Sequence, residues 1–138
     1  MYTYLAQVYN YLGWDKFSKD LAIKLKPFLN KWKIRSHYDL ACGTGVFVKE
    51  MSRFGINSSG LDVSREMIKV AKLNYPHLKF KTGNMINFKL NQPVDLITCN
   101  YDSINHLLIF KEWEAVFRNV FNNLKQNGKF LFDINTLN

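Results

Sequence analysis

Hydrophobic positions along the chain follow two spacings, one typical of helices and one typical of buried strands. From Trp14 to Trp32, large apolar residues recur every three or four positions, which predicts an amphipathic helix that Pro27 kinks or restarts. A short apolar segment ending at residues 38–41 follows, and it runs through the glycines of residues 43–45 into another helical pattern. The predicted order is strand, glycine turn, helix.

This alternation continues towards the C-terminus. Residues 56–61 are predicted to form a strand, and Ser64 is predicted to cap a helix that Pro76 ends. The remaining predicted elements are strands at residues 78–82, 94–99 and 129–134 and a helix from Trp113 to Leu124, with an Asn127-Gly128 turn before the last strand. Strands that alternate with helices predict an α/β fold, in which a parallel sheet of about five strands carries helices on both faces.

Composition narrows the class of protein. A length of 138 residues suits a single domain, with residues 1–35 as a helical N-terminal segment and residues 36–138 as the βα core. Hydrophobic residues make up 47% of the chain, which is enough for a core and excludes global disorder. The net charge of +8 arises from scattered lysines that concentrate only between Lys16 and Arg35, so a solvated helix face is favoured and a nucleic-acid partner lacks support.

Cysteine usage and the N-terminus bear on the compartment. Cys42 and Cys99 are too few for a disulfide framework, and neither falls in a metal-binding spacing, so no metal is expected. The N-terminal residues lack the pattern of a secretory signal, and no apolar stretch approaches the roughly 18 residues of a membrane span. We therefore expect a cytoplasmic protein without a membrane partner.

The glycine turn is the first candidate for ligand binding. Glycines at positions 43 and 45 expose backbone to a ligand, and a bulky side chain at either position is expected to block its approach. A dinucleotide fingerprint needs a third glycine at position 48, where the chain has Val48. Asp39, before the turn, repels a phosphate and attracts the ammonium group of a bound amino acid.

Asp62 is the second candidate. It ends the second predicted strand, nineteen residues beyond Gly43, where an acid can accept hydrogen bonds from both hydroxyls of a ribose. Such an acid alone does not separate a nicotinamide dinucleotide from another adenosine ligand. Asp39 and the missing third glycine favour S-adenosylmethionine.

Five segments in order resemble the motifs of class I S-adenosylmethionine-dependent methyltransferases, and most closely those of small bacterial members. They are residues 39–45 (DLACGTG), 60–67, 83–85, 94–97 and 101–107, supported by residues 5–12 and 132–135. The resemblance implies a Rossmann-like open parallel sheet in the order 3-2-1-4-5. It also implies methyl transfer from S-adenosylmethionine, with S-adenosylhomocysteine as the product.

The resemblance further implies a set of cofactor-binding residues. The turn backbone would face the methionine part of the cofactor, with Asp39 near its ammonium group and Asp62 on the ribose. Asn84, where the family usually has an aspartate, would meet the adenine, and Ala41 stands where a glycine is frequent. The full set is Tyr9, Asp39, Ala41, Gly43, Gly45, Asp62, Val63, Asn84, Met85, Asn100 and Tyr101.

Catalysis asks for few dedicated residues, because the sulfonium already activates the methyl group and an in-line displacement needs mainly positioning. Tyr101 is a candidate to line the cation, and Asp102 and His106 are candidates to take a proton from the acceptor. The pattern identifies no catalytic base. A small molecule is the preferred acceptor, because the chain shows no aromatic and basic platform for single-stranded nucleic acid.

The C-terminus leaves alternatives open. Family members usually continue with two more strands, whereas this chain ends soon after the fifth, whose edge would be unpaired. A truncated or split methyltransferase, or a homodimer through the fifth-strand edge, is therefore expected. Two other functions are a module that binds S-adenosylmethionine or S-adenosylhomocysteine without turnover, and an NAD-dependent oxidoreductase; ligand titration separates them.

Overall fold

The computed structural model describes residues 13, 15–101 and 103–136. In this part of the chain, five parallel strands form one sheet in the order β3-β2-β1-β4-β5, which confirms the predicted Rossmann-like topology. The strands are β1 (Ser36–Leu40), β2 (Asn57–Asp62), β3 (Lys79–Thr82), β4 (Val94–Cys99) and β5 (Leu124–Phe132). The helices are α1 (Lys16–Lys31), α2 (Val46–Arg53), α3 (Arg65–Asn74) and α4 (Phe110–Asn123), with a short 3₁₀-helix at Ser103–His106.

Hydrophobic clusters cover both faces of the sheet. One face carries side chains of α1, α2 and β4, among them Leu25, Met51 and Leu96. A cluster formed by α2, α3 and β3 adjoins it. On the opposite face, α4 packs Val116 against strand residues such as Ile97. Helices therefore lie on both faces, as the strand and helix alternation predicts.

The side chains of β1 alternate between the two faces of the sheet. Tyr38 and Leu40 belong to the cluster under α4. The ring of His37 instead makes an edge-to-face contact with Phe47 of α2, with 5.5 Å between ring centroids. Because side chains alternate along a strand, Asp39 lies on the same face as His37. This central strand thus directs two polar side chains towards α2.

Helix α1 differs from its prediction in two ways. It continues through Pro27 as one element, so the predicted restart is wrong. Leu25 and Leu29 are buried on either side of the proline, and their packing holds the helix together. The predicted apolar face of large residues between Trp14 and Trp32 includes Phe28, which is half exposed. The buried stripe is instead formed by Ala22, Leu25 and Leu29.

Strand β5 also departs from its predicted range of residues 129–134. Its pairing with β4 begins at Leu124, passes an irregularity and becomes regular from Lys129 to Phe132. Asn127 has a φ of +65° and lies in this irregular part, so the predicted Asn127-Gly128 turn is an irregularity within β5 and not a turn before it. The strand ends at Phe132, and the carboxylate of the next residue, Asp133, accepts a hydrogen bond from the Tyr101 amide.

Strand β5 forms one edge of the sheet and has no strand on its outer side among the described residues. Three large apolar side chains are strongly exposed: Leu108, which precedes α4, and Phe110 and Phe121, which lie on α4. Lys125 and Lys129 place charges on this strand, which discourages edge-to-edge pairing. The homodimer expected through this edge stays a prediction. Among the described helices, none has the length and apolar character needed to cross a membrane.

Candidate cofactor site

The turn between β1 and α2 has an unusual backbone. Three of its residues adopt positive φ angles: Ala41 (+57°), Gly43 (+55°) and Gly45 (+86°). The Cys42 amide donates a 2.8 Å hydrogen bond to the Leu61 carbonyl, which ties the turn to β2. The turn is therefore held at the carboxyl ends of the central strands, where open α/β sheets bind their ligands.

The two glycines of the turn have different roles. A Cβ atom on Gly43 would meet no atom within 4 Å, so this position leaves open space for a ligand. A Cβ atom on Gly45 would lie 2.6 Å from the Phe80 ring and 3.3 Å from Ala71 Cβ. The expectation that a side chain at Gly45 blocks ligand approach needs correction, because such a side chain collides first with the protein core.

Ala41 occupies a left-handed conformation that glycine adopts more readily. We expect Ala41→Gly to raise the free energy of unfolding by roughly 0.5 kcal/mol, since strain of about 1–2 kcal/mol is relieved and about 0.4–1 kcal/mol of unfolded-state entropy opposes the gain. Urea unfolding followed by circular dichroism measures the change. Ala41→Val, which adds a β-branched side chain at the same φ, should be destabilised. A less stable glycine variant contradicts this account.

Asp62 joins two loops of the site. Its Oδ2 atom accepts a 2.9 Å hydrogen bond from the Gly43 amide, and its Oδ1 atom accepts one of 2.9 Å from the Ser64 amide. Burial raises the pKa of this carboxyl, and these two amides and the charge of His106 oppose the rise. Each oxygen keeps a further lone pair, so the predicted ribose contact is compatible with the observed bonds.

Asp39 lies deeper than the sequence suggests. Its side chain is buried, and its Oδ1 atom accepts a 2.6 Å hydrogen bond from the Thr98 hydroxyl on β4. Burial raises the pKa of Asp39 to about 7, repulsion from Asp62 adds to the rise, and the Thr98 hydrogen bond opposes it. Two carboxyl groups thus lie near one another beside the turn, a setting that favours a cationic ligand.

The residues predicted to meet adenine follow β2 and β3. Val63 is 62% exposed beside Asp62. Asn84 is exposed, and its Oδ1 atom accepts a 3.1 Å hydrogen bond from the Ile86 amide. Met85 is buried in the cluster under α4 together with Phe88. The contacts of these three side chains with adenine stay predictions.

The segment after β4 completes the site. The Nδ2 atom of Asn100 is buried and has no hydrogen-bond partner among the described residues. Tyr101 has a φ of +60°, and its ring makes an edge-to-face contact with Phe17 of α1 at 5.2 Å. Asp133 anchors this segment by accepting a 3.0 Å hydrogen bond from the Tyr101 amide. A buried amide donor without a partner is uncommon, so the predicted contact of Asn100 with a ligand stays a prediction with structural support.

Of the candidates for proton transfer, the structure describes His106 but not Asp102. His106 is exposed at the end of the 3₁₀-helix, near enough to Asp62 for its charge to lower the pKa of that carboxyl. Tyr9 and Asp102 lie outside the described residues. Both cysteines are free and buried, and burial raises the pKa values of their thiols. No cluster of three metal-ligating side chains occurs within the described ranges.

A family comparison identifies the class of protein. The family model described as a methyltransferase domain matches residues 38–128, from β1 to the start of the regular part of β5. This chain belongs to that family. The matched range contains the glycine turn, Asp62 and Asn100, so the methyltransferase domain includes nearly all of the site described above.

Individual relatives agree with this membership. A protein of Geobacillus sp. (strain WCH70), provisionally named a methyltransferase, is 27% identical over 130 residues, which are 91% of this chain and 51% of that protein. A dTDP-3-amino-3,6-dideoxy-alpha-D-glucopyranose N,N-dimethyltransferase of Streptomyces fradiae is 31% identical over 83 residues, 60% of this chain and 32% of the relative. The crystal structure of an S-adenosylmethionine-dependent methyltransferase from Clostridium acetobutylicum matches with a TM-score of 0.77 and 29% identity, over 83% of this chain and 49% of the other. This chain thus spans about half the length of the first and third of these proteins.

The residues of the domain fit an adenosyl amino acid. Gly43 leaves space, Asp62 supplies acceptor oxygens at the end of β2, and Asn100 presents an unpaired donor. His37, Thr98 and Asp133 are not among the site residues that the sequence predicts. A signal existed for the first two, since each is a polar residue within an apolar strand segment. For Asp133 the signal was its place in the segment of residues 132–135.

Proposed function

We propose that this methyltransferase domain binds S-adenosylmethionine and transfers its methyl group to a small-molecule acceptor. The observation that supports the proposal is the hydrogen bond from the Gly43 amide to Asp62, because it holds this carboxylate directly beside a turn with open space. In a parallel sheet, this is where the carboxyl ends of neighbouring strands meet.

Each part of the site has a role in this proposal. Asp62 accepts hydrogen bonds from the ribose hydroxyls, while the turn around Gly43 faces the methionine portion. Asp39, directly or through one water, attracts the ammonium group, and the Nδ2 atom of Asn100 donates to the ligand. The bound cofactor supplies a methyl group that is already activated by its positive sulfur, so the protein contributes positioning and charge.

The electrostatics of the site suit this ligand. S-adenosylmethionine carries positive charge on its ammonium and sulfonium groups. Asp39 and Asp62 together place negative charge beside the turn when both are ionised, and each has a pKa raised by burial. A bound cation favours the ionised form of both carboxyls, whereas an anionic pyrophosphate would be repelled. The charge pattern supports S-adenosylmethionine over a dinucleotide.

We further propose that the acceptor is a small molecule with an amino group, and an amino sugar is the first class to test. The support is the name of the Streptomyces fradiae relative, an amino-sugar N,N-dimethyltransferase that is 31% identical over 83 residues. In such a reaction the N–CH₃ bond forms as the C–S bond breaks, and the nitrogen loses a proton. His106, which is exposed near Asp62, is the candidate to accept that proton.

The acceptor proposal predicts selective methylation of amino sugars. The chain is incubated with S-adenosylmethionine carrying a labelled methyl group and with a panel of nucleotide-linked sugars, and products are measured by mass spectrometry. We expect a product one methyl group heavier from amino sugars and none from the hydroxyl analogues of the same sugars. Equal transfer to both sets contradicts an amine acceptor. Cofactor binding without transfer to any acceptor supports a binding module instead.

A further inference from the structure

A chain of buried hydrogen bonds crosses the three central strands and ends on Asp39. The Oγ atom of Ser58 on β2 lies 2.6 Å from Nδ1 of His37 on β1, and Nε2 of His37 lies 2.8 Å from Oγ1 of Thr98 on β4. The Thr98 hydroxyl is in turn 2.6 Å from Oδ1 of Asp39. All four side chains are at most 5% exposed, so water does not compete for these bonds.

The direction of these hydrogen bonds follows from the number of protons available. An ionised Asp39 only accepts, so the single hydroxyl proton of Thr98 points at it. The Thr98 oxygen must then accept from Nε2–H of His37. Burial lowers the pKa of His37 to about 3, so its ring is neutral and has one N–H. Nδ1 therefore accepts from the hydroxyl of Ser58, and every donor points towards the carboxylate.

We propose that Ser58, His37 and Thr98 act as positioning residues for cofactor binding, because their hydrogen-bond chain holds the Asp39 carboxylate ionised and oriented towards the ammonium group of S-adenosylmethionine. This inference rests on the proposed function. Hydrogen bonds that donate in one direction polarise one another, so the last donor becomes stronger than an isolated hydroxyl. The Oδ2 atom of Asp39 has no hydrogen-bond partner within the described residues, which leaves it for the ligand.

The surroundings of Asp39 explain why such support is needed. Burial raises the pKa of this carboxyl to about 7, and the negative charge of Asp62 on β2 adds to the rise. The other titratable groups whose pKa values respond to the charge of Asp39 are the Cys42 and Cys99 thiols and the Tyr38 hydroxyl; burial raises the pKa values of all three, so they are neutral. No positive side chain appears among the described groups that influence Asp39, so Thr98 is the stabilising partner.

The affinity for S-adenosylmethionine should therefore depend on pH, in a direction set by the ionisation of Asp39. Below its pKa, Asp39 is protonated and attracts the ammonium group weakly; above it, the carboxylate attracts the ammonium group strongly. Affinity for S-adenosylmethionine should therefore rise as the pH increases through about 7. Removal of the Thr98 hydroxyl raises the pKa of Asp39 further, so the rise in affinity should move to higher pH by about one unit.

The first test compares Thr98→Val with the matched variant Thr98→Ser, which keeps the hydroxyl. Carbon-13 NMR of the Asp39 carboxyl in the ligand-free protein gives its pKa, and calorimetric titration with S-adenosylmethionine from below pH 6 to above pH 8.5 gives the affinity profile. Ionisation of the free ligand's own amino group affects the profiles of all three proteins equally, so the variants are compared with wild type. We expect both midpoints to move up together in the valine variant and to stay near the wild-type values in the serine variant. Methylthioadenosine, which lacks the amino acid portion, should show the same pH profile in all three proteins.

A second pair of variants covers the case in which Thr98→Val does not fold. Ser58→Ala removes only the first hydroxyl of the chain, and we expect a smaller shift in the same direction. Ser59→Ala changes the neighbouring residue, which points to the other face of β2, and should leave the Asp39 pKa unchanged.

The outcomes separate this proposal from the proposed function. An Asp39 carboxyl that titrates at the same pH in wild type, Ser58→Ala and Thr98→Val overturns the positioning chain, even where S-adenosylmethionine binds. If the pKa of the Asp39 carboxyl shifts in Thr98→Val but the pH dependence of the affinity for S-adenosylmethionine does not, the link between Asp39 and the ammonium group is overturned. A folded wild-type protein that does not bind S-adenosylmethionine overturns the proposed function and this proposal with it, whatever the NMR result.

Discussion

Replacement of Gly45 with alanine is expected to lower the free energy of unfolding by about 3–4 kcal/mol. A φ of +86° strains any residue with a Cβ atom, at a cost of about 1–2 kcal/mol. The new methyl group would also lie 2.6 Å from the Phe80 ring, and relief of such overpacking costs about 1–3 kcal/mol. Urea unfolding of the purified variant, followed by circular dichroism, measures the loss.

Gly43→Ala is the matched control for this prediction. Gly43 also has a positive φ, of +55°, but a Cβ atom added at Gly43 would meet no atom within 4 Å. Strain alone should therefore cost about 1–2 kcal/mol. A double variant of Gly45→Ala with Phe80→Leu should recover part of the loss, because the smaller side chain makes room. Equal destabilisation by alanine at both glycines contradicts the packing role of Gly45.

The second large effect concerns Asp62. We expect Asp62→Ala to weaken S-adenosylmethionine binding by about 100-fold or more, since two hydrogen bonds to a charged acceptor are each worth about 1.5–3 kcal/mol. The measurement is calorimetric titration of wild type and variant, after circular dichroism has shown that both are folded. The variant should also lose stability, because the Gly43 and Ser64 amides lose their acceptors.

A ligand change separates the ribose contact of Asp62 from its effect on the turn. S-adenosylhomocysteine is compared with its 2′,3′-dideoxy analogue on both proteins. If Asp62 accepts from the hydroxyls, their removal weakens binding to wild type and has little further effect on Asp62→Ala. If removal of the hydroxyls weakens binding to Asp62→Ala as much as it weakens binding to wild type, the two losses of affinity are additive. Asp62 then acts only through the turn, and the predicted ribose contact is wrong.

Local features of the site were accessible from the sequence. The glycine spacing predicted the turn after β1, and Ser64 was expected to cap the helix after β2. The structure confirms this cap, with a 3.2 Å hydrogen bond from the Met67 amide to Ser64 Oγ. These features depend on residues close together in the chain, where turn and capping chemistry decide the conformation.

Features that depend on distant partners were missed. The packing role of Gly45 depends on Phe80, which lies thirty-five positions later in the chain. The buried carboxyl of Asp39 accepts its hydrogen bond from Thr98, which lies on another strand. Likewise, α1 stays continuous through Pro27 because tertiary packing outweighs local preference. Sequence periodicity predicts that a strand is buried, but not which polar group a buried histidine such as His37 will contact.

Calorimetric titration of the 138-residue chain with S-adenosylmethionine tests the central claim most directly, with S-adenosylhomocysteine as the second ligand and NADH as the control. The account predicts binding of both adenosyl ligands in the micromolar range, at about −8 kcal/mol for a dissociation constant near 1 μM, and no binding of NADH. A folded chain that binds NADH, or neither adenosyl ligand, contradicts the cofactor site assigned to Asp39, Gly43 and Asp62.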